Sequence, residues 1–399
     1  MKDLELRVPG FRASGIRCGI KTAGEDLALI VSDAPAVAAG VLTRTTVPGA
    51  PVVVSREHLR ASRSVRAIVA NSGCSNVAMG ARGLRDARAM SAIAAESVGC
   101  RPQEGLVAST GVIGEPLPRE KIRRGIEAAT GALAEDGLPA AARAILTTDT
   151  RTKTALRTLR IGGKTVRIAG IAKGSGMVEP NLATVLVFVV SDVVASKSYL
   201  QRALREAADA SLNCLSVDGE GSTSDTCFVL ANGCSGHTAL SSAMSPGAKA
   251  YGAALTDLLQ ELTRELARDG EGATRLVTVR VDAARSADEA RRAAKRIANS
   301  VLVKTAIFGG DANWGRILQT IGHGRIALDL SKTEVRLAGV PVFVRGASAG
   351  PQARARAQQA MQASEVKVEV RLGAGRHGCT VWSCDLSYDY VKINAEYRT

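Results

Sequence analysis

Along all 399 residues, short runs of Val, Ile and Leu alternate with stretches whose apolar residues recur every three or four positions. The first texture is that of strands, the second that of amphipathic helices lying on a sheet. Helical spacing covers residues 84–97, 122–133, 200–212, 255–266 and 286–297. In the last of these, Ser286 and Glu289 stand in capping-box spacing, and Arg291, Arg292 and Lys295 lie off the apolar stripe and read as a solvated face. Strand texture covers 27–31, 65–70, 184–190 and 276–281. Near the C-terminus, candidates at 366–372 and 380–382 flank a glycine-rich turn, and a final strand candidate ends close to Ile393, with no helix between them. Successive strands imply partly antiparallel pairing, so the expected fold class is a layered α/β sandwich with mixed or antiparallel sheets, not a Rossmann fold. A smaller C-terminal α/β subdomain is expected from about residue 275.

Charge narrows the partners. The 52 Lys and Arg against 38 Asp and Glu leave a formal net charge of +14, which favours anionic partners such as nucleic acid, acidic metabolites or a phosphorylated cofactor. Aromatics are only 3%, too few to build the stacking platform of a single-strand binder, so no nucleic-acid partner is expected. The longest apolar run, 183–190, is far shorter than the roughly eighteen residues of a membrane span. Asp3, Glu5, Arg7 and Pro9 stand where a signal peptide would need continuous apolar sequence. A cytoplasmic chain without a membrane partner is therefore expected. The eight cysteines show no CxxC and no regular framework, so free, mostly buried thiols are expected, and the four histidines offer no recognised zinc spacing. No metal is expected.

Several nucleotide and nucleophile motifs fail on context. Gly373, Gly375 and Gly378 spell G-x-G-x-x-G, but no helical period follows to meet a pyrophosphate, and a glycine hairpin is the better reading. Gly162-Gly163-Lys164-Thr165 ends like a phosphate loop, yet position 158 is Thr where the first glycine should stand. There is no G-x-S-x-G elbow. The segment Lys173-Gly-Ser-Gly-Met177, followed by Glu179-Pro180-Asn181-Leu182-Ala183-Thr184, places a hydroxyl at the head of a buried apolar strand. A Thr there is ordinarily only a β-branched strand residue. Were the Ala183–Thr184 bond cut, however, Thr184 would gain an α-amine with a reference pKa of about 7.7–8.0, able to serve its own hydroxyl as base.

This segment resembles the self-cleavage site of the ornithine acetyltransferase and glutamate N-acetyltransferase family of arginine biosynthesis. Ser109-Thr110-Gly111-Val112-Ile113-Gly114-Glu115-Pro116-Leu117-Pro118 resembles that family's oxyanion-hole loop. Thr147-Thr148-Asp149-Thr150, Ser216-Val217-Asp218-Gly219, Asp225-Thr226, Lys304 to Phe308, Asn313-Trp314-Gly315-Arg316 and the ending Ile393 to Thr399 resemble further blocks, in family order across nearly the whole chain.

The resemblance implies the ornithine acetyltransferase fold, with an α chain (1–183) and a β chain (184–399) from one precursor, assembled as a heterotetramer of two α and two β. It implies transfer of acetyl from N-acetylornithine to glutamate through an acetyl-enzyme on Thr184. No cofactor is implied, although acetyl-CoA is possible as a substrate. Thr110 and Gly111 match the oxyanion pair, whose task is to stabilise the charge of a tetrahedral intermediate. Thr147, Lys173, Thr184, Glu271, Asn394 and Thr399 fall where the family binds substrate, Lys173 suited to a carboxylate and Glu271 to an ammonium. The alternatives are an N-terminal-nucleophile amidohydrolase or aminopeptidase, and an uncleaved anion-binding paralogue. Glu179, Gly310 and the run Asn71-Ser72-Gly73-Cys74-Ser75-Asn76 depart from the family pattern.

Overall fold

The structure, a computed structural model, describes residues 6–179 and 185–396. Among these residues eight strands build a first sheet: β1 (Phe11–Ile16), β2 (Leu27–Leu42), β3 (Val65–Cys74), β4 (Gly105–Val112), β5 (Lys153–Ile161), β6 (Lys164–Lys173), β7 (Leu186–Ser191) and β8 (Thr226–Ala231). Their order is β4-β3-β2-β8-β7-β6-β5, with β1 also on β2. The pairs β3–β4 and β7–β8 are parallel and the rest antiparallel.

The sixteen-residue β2 serves two partners in turn. Its first half pairs with β1 and β3, its second half with β8. The register with β3 shifts between Val31 and Ala36, around Pro35, which has no N–H to give a ladder. The strand texture expected over 27–31 covers only the start of β2, because Ser32-Asp33-Ala34-Pro35 interrupts the apolar run. Instead the strand runs through this irregularity, and the sheet divides into two halves that pack on each other. Ala28, Ile30, Ile68, Ala70 and Leu106 of one half meet Ile171, Phe188, Val190, Phe228 and Leu230 of the other, with Phe188 and Phe228 stacked at 6.0 Å.

Helices cover the outer faces. On the first half, Leu29, Val69 and Val107 pack under α1 (Ala50–Ala61), α2 (Gly80–Ser97) and α3 (Arg119–Gly131), and α4 (Leu138–Ala144) closes the space between the halves. On the second half, Ile168, Val187 and Val229 pack under α5 (Lys197–Asp209) and α6 (Ala248–Arg268). With both faces covered, β7 is buried at every position, which is why it reads as an unbroken apolar run. The mixed-sheet α/β sandwich is the expected fold class.

A second sheet follows: β9 (Leu276–Ala284), β10 (Glu334–Leu337), β11 (Val340–Val344), β12 (Ala347–Ser348), β13 (Glu365–Arg371) and β14 (His377–Cys384), in the order β12-β11-β10-β13-β9-β14. Its helices are α7 (Ala287–Asn299), α8 (Val301–Phe308), α9 (Trp314–His323), α10 (Pro351–Ala360) and α11 (Tyr388–Glu396). Val277, Val279 and Val281 of β9 pack with Ala290, Ala294 and Ile297 of α7 in the same apolar cluster as α5 and α6, so one core runs through both sheets.

Four sequence expectations are corrected. The segment 373–378 is not a hairpin, because β13 and β14 both pair with β9, one parallel and one antiparallel. The chain instead crosses the end of β9, where a side chain at Gly375 would come within 2.3 Å of the Ala284 carbonyl. The terminal strand is the helix α11, before which Ser387 Oγ accepts the Asp389 N–H. The helix expected over 200–212 ends at Asp209 and gives way to a 3₁₀ turn. Only half of the capping box forms: Ser286 accepts the Glu289 N–H, while the Glu289 carboxylate takes the N–H groups of Arg285 and Ala327. The Gly162-Gly163 pair, at φ +54° and +77°, is the two-residue turn of the β5–β6 hairpin. The cysteines among the described residues are free, four of them buried.

Face-to-face packing of the half-sheets makes Phe188 a keystone. Phe188→Ala is expected to lose about 3–5 kcal/mol of unfolding free energy, read by urea denaturation, and an effect below about 1 kcal/mol would contradict this packing.

Candidate active site

The ends of β4 and β6, the turn before β5, the turn after α6 and helix α11 meet through two sets of side-chain contacts, one around Lys173 and Asp149 and one around Glu271, joined by the backbone of residues 147–149. Lys173, the last residue of β6, is buried, and its ammonium donates to Thr147 Oγ1 at 2.8 Å and to Thr110 Oγ1 at 3.3 Å. Because the ammonium occupies a lone pair of Thr110, the Thr110 O–H remains free to donate elsewhere. Burial pulls the Lys173 ammonium below the usual lysine value and Lys153 acts in the same direction, against the carboxylates of Asp149, Glu271 and Asp225.

Asp149 organises this end. Its side chain is wholly buried and touches the ammonium of Lys153, which also contacts Asp269, and it lies 4.0 Å from Lys173. It further accepts the Gly174 N–H at 2.7 Å and the Thr147 N–H at 3.1 Å. Burial alone would raise its pKa, but Lys173, Lys153 and the Gly174 N–H outweigh that and hold it at about 2. Two lysines share the buried negative charge of two aspartates.

Glu271 stands at the far side. Its carboxylate accepts from Thr148 Oγ1 at 2.7 Å and from Asn394 Nδ2 at 2.8 Å, and its N–H bonds the Ser175 carbonyl. A side chain at Gly176 would come within 2.2 Å of that carboxylate, so glycine is required for the close approach. Gly111 is constrained likewise: at φ +124°, any Cβ would lie 2.4 Å from the backbone of Gly73 on β3. The departing run 71–76 braces this turn through Asn71, which accepts from Ser109 Oγ and donates to the Cys74 carbonyl.

The chain leaving Lys173 is held as far as it is described. Asp218 accepts the N–H groups of Met177 and Val178 at 2.7 and 2.8 Å. Burial and the nearby carboxylates of Asp218 and Glu271 push the Tyr390 phenol, 3.4 Å from Asp218, above its usual value. Glu179 accepts from Asn299 Nδ2 at 2.7 Å and lies 3.4 Å from Lys295 Nζ, so it pairs with a base rather than standing in solvent.

The ArgJ family profile matches residues 12–399. The chain is 46% identical over 395 residues to the arginine biosynthesis bifunctional protein ArgJ of Geobacter sulfurreducens, covering 99% of this chain and 100% of that one. It is 42% identical over 390 residues to the protein of the same name from Bacillus subtilis, with 98% and 95% covered. This chain belongs to the ArgJ family. Among solved structures, ornithine acetyltransferase complexed with ornithine from Mycobacterium tuberculosis is 32% identical, covering 45% of this chain and 98% of that one at a TM-score of 0.40.

The structure thus brings together Thr110, Gly111, Thr147, Lys173, Glu271 and Asn394. Ala183, Thr184 and Thr399 lie outside the described residues. Sequence reasoning missed Thr148, Asp149, Ser175 and Asp218 as individual site residues. The signal was there, because Thr148, Asp149 and Asp218 fall inside two of the ArgJ-like blocks and Ser175 inside the glycine-rich turn. Nothing marked Tyr390. Among the described residues no group of three or more His, Cys, Asp or Glu could hold a metal ion, and no helix is long and apolar enough to cross a membrane.

Removing the Lys153 ammonium would leave two carboxylates buried together. Lys153→Met is expected to destabilise by about 3–5 kcal/mol in urea denaturation. The folded Asp149 carboxyl, at about 2 against an ordinary 3.8, binds fewer protons than its unfolded counterpart. Its contribution should therefore be complete above pH about 4 and be lost as the pH falls towards 2. A wild-type stability flat across that window would contradict the assignment.

Proposed function

We propose that this chain is the ornithine acetyltransferase of arginine biosynthesis, moving acetyl from N2-acetyl-L-ornithine to L-glutamate through an ester on Thr184, after cleavage at the Ala183–Thr184 bond. The observation that carries this reading is that the Lys173 ammonium, beside Thr110, and the Glu271 carboxylate are bonded to the adjacent hydroxyls of Thr147 and Thr148. An ammonium and a carboxylate on opposite sides suit an amino acid's own carboxylate and ammonium.

In this reading the Thr184 hydroxyl attacks the acetyl carbonyl and gives its proton to the α-amine that cleavage has freed. The charge on the tetrahedral oxygen is met by the Thr110 O–H, left free by the Lys173 contact, and by the Gly111 N–H. Collapse breaks the C–N bond, and ornithine leaves with the proton. The amine of glutamate then attacks the ester, and N-acetylglutamate departs as Thr184 recovers its proton. Thr147, Asn394 and Thr399 complete the substrate contacts. The cytoplasm, an assembly of two α and two β chains, and acetyl-CoA as a second donor belong to the same reading.

Thr184→Ala is expected to run as one full-length band on a denaturing gel and to lack activity, whereas the wild type gives two fragments, the second beginning at Thr184. A second chain starting elsewhere would defeat the assignment. Thr110→Ala should lower kcat by about 10²–10³ with little change in KM. Ornithine release without added glutamate, at the full rate, would indicate hydrolysis instead. Glu179→Ala should slow fragment formation while leaving the kcat of the processed enzyme unchanged, because its contacts hold only the approach to the cleaved bond.

A further inference from the structure

The chain that follows α5 lies against the edge strand β14. Leu215 pairs there with Trp382, and the Ser216 N–H bonds the Trp382 carbonyl at 2.9 Å. Each segment carries a cysteine shortly before this contact: Cys214 ends the 3₁₀ turn Leu212–Cys214, and Cys379 lies near the start of β14. Both face α7. Cys214 Sγ lies 3.4 Å from the Asp209 carbonyl, which also accepts from Arg291 of α7 at 3.1 Å. On β14, Cys379, Val381 and Ser383 share one face, and Ser383 Oγ donates to the Ala298 carbonyl at the end of α7. Cys379 packs on the apolar cluster that contains Cys214, Ala290 and Ala294. The two thiols are hydrogen-bonded to each other.

A bulge sets the aim of Cys379. The ladder between β14 and β9 slips between His377 and Cys379, and such a slip re-aims the side chain that follows. Glycine is required at 378, since a Cβ there would lie 2.3 Å from Asp282 Oδ1. The last glycine of the G-x-G-x-x-G run thus places a thiol. The two cysteines also differ in surroundings, Cys214 being buried and Cys379 half-buried beside the exposed Gly378. Contact with Cys214 first, then Arg291, Arg280 and Lys295, outweighs burial and draws the Cys379 thiol down to about 7. The same contact pushes the Cys214 thiol up, and burial pushes up the other six. A partly exposed thiol that ionises near neutrality is the reactive member of such a pair, and a protonated neighbour is placed to resolve its oxidation.

We propose that Cys214 and Cys379 form a peroxide-sensitive dithiol site, in which Cys379 reacts first and Cys214 closes a reversible disulfide. The Cys379 sulfur attacks one oxygen of hydrogen peroxide. An S–O bond forms, the O–O bond breaks, and the leaving hydroxide takes the thiol proton and departs as water. The Cys214 sulfur then attacks the sulfenic sulfur, so that S–S forms, S–O breaks and a second water leaves with the Cys214 proton. The two thiols supply the two electrons that reduce the peroxide. The bond ties the segment leading to Asp218, which holds Met177 and Val178, to the strand leading to α11, which presents Asn394 to Glu271. Because it joins residues far apart in sequence, it should resist unfolding.

The test exposes the full-length protein carrying Cys234→Ser, which removes the exposed thiol, to hydrogen peroxide. Of the eight cysteines seven then remain, and thiols titrated in denaturant should fall from seven to five and return to seven with dithiothreitol. Proteolytic mapping, which needs no substitution at either site, should find Cys214 joined to Cys379. Cys379→Ser should slow the loss at least about ten-fold, and Cys214→Ser should leave a sulfenic acid on Cys379 that dimedone traps. Matched melting curves show that the variants are folded. The oxidised sample should unfold at a higher urea concentration than the same sample after dithiothreitol. The proposal is overturned if all seven thiols survive the peroxide, if the lost thiols do not return, or if the link joins other cysteines. It also fails if Cys379→Ser loses thiols as fast as its parent, or if the oxidised sample unfolds at lower urea.

Discussion

A carboxylate shut off from water, Asp149, sets the geometry on which the candidate site depends. An isolated buried carboxylate would take up a proton, and the two ammonium groups beside it, with the Gly174 N–H, keep it charged. The same arrangement fixes those lysines in return. Lys153 is immobilised between Asp149 and Asp269, at the start of β5. Lys173, at the end of the neighbouring strand β6, is drawn towards Asp149 and so aims its ammonium at Thr147 and Thr110. The hairpin that carries both lysines is closed by a two-glycine turn and pairs without a slip over its whole length, so the placement of one ammonium determines the other. A one-residue slip would turn each side chain to the opposite face of the sheet.

Glycine solves the complementary problem of bringing polar groups close. Gly111 and Gly73 lie opposite each other in the parallel β3–β4 ladder, both at positive φ, and a methyl group on Gly111 would collide with the backbone of Gly73. Gly176 lets the Glu271 carboxylate lie against the backbone that leads from Lys173. Met177 takes φ +55° without that freedom, and Asp218 holds it by accepting its N–H and that of Val178. Such a conformation costs roughly 1–3 kcal/mol and persists only where its surroundings enforce it.

The sequence made the helices and the site cluster legible for different reasons. Periodicity found α2, α3, α5, α6 and α7 because each lays one apolar stripe on a sheet. It missed the full length of β2, since Pro35 reads locally as a turn while the pairing on either side of it is set by strands far along the chain. The supposed C-terminal hairpin failed in the same way, because adjacency in sequence cannot show that β9 lies between β13 and β14. Of the candidate site, the family-like blocks contain Thr110, Thr147, Lys173 and Asn394, while Glu271 rests on the resemblance outside those blocks, and spacing alone does not join a turn at 147–149 to one at 271. Gly310 shows why one departure is tolerated: at φ +65°, a Cβ there would meet the Gln362 amide at 2.4 Å.

Strand order also decides whether the proposed cleavage is compatible with the fold. Strands β1 to β6 precede the Ala183–Thr184 bond and β7 and β8 follow it, yet the sheet interleaves them as β2-β8-β7-β6. Six residue pairs join β8 to β2 and six join β7 to β6. The two fragments would therefore share one sheet, with Phe188 and Phe228 of the second packed against Ile68, Leu106 and Ile171 of the first. On the upstream side the chain is anchored at Gly174, Met177, Val178 and Glu179 by four side chains: Asp149, Asp218 through two contacts, Asn299 and Lys295. On the downstream side β7 begins at Leu186, paired with Lys173 on one edge and Thr226 on the other. Breaking a bond between two ends so held frees an α-amine without releasing either end from the core, which is the condition a nucleophile generated in place would need.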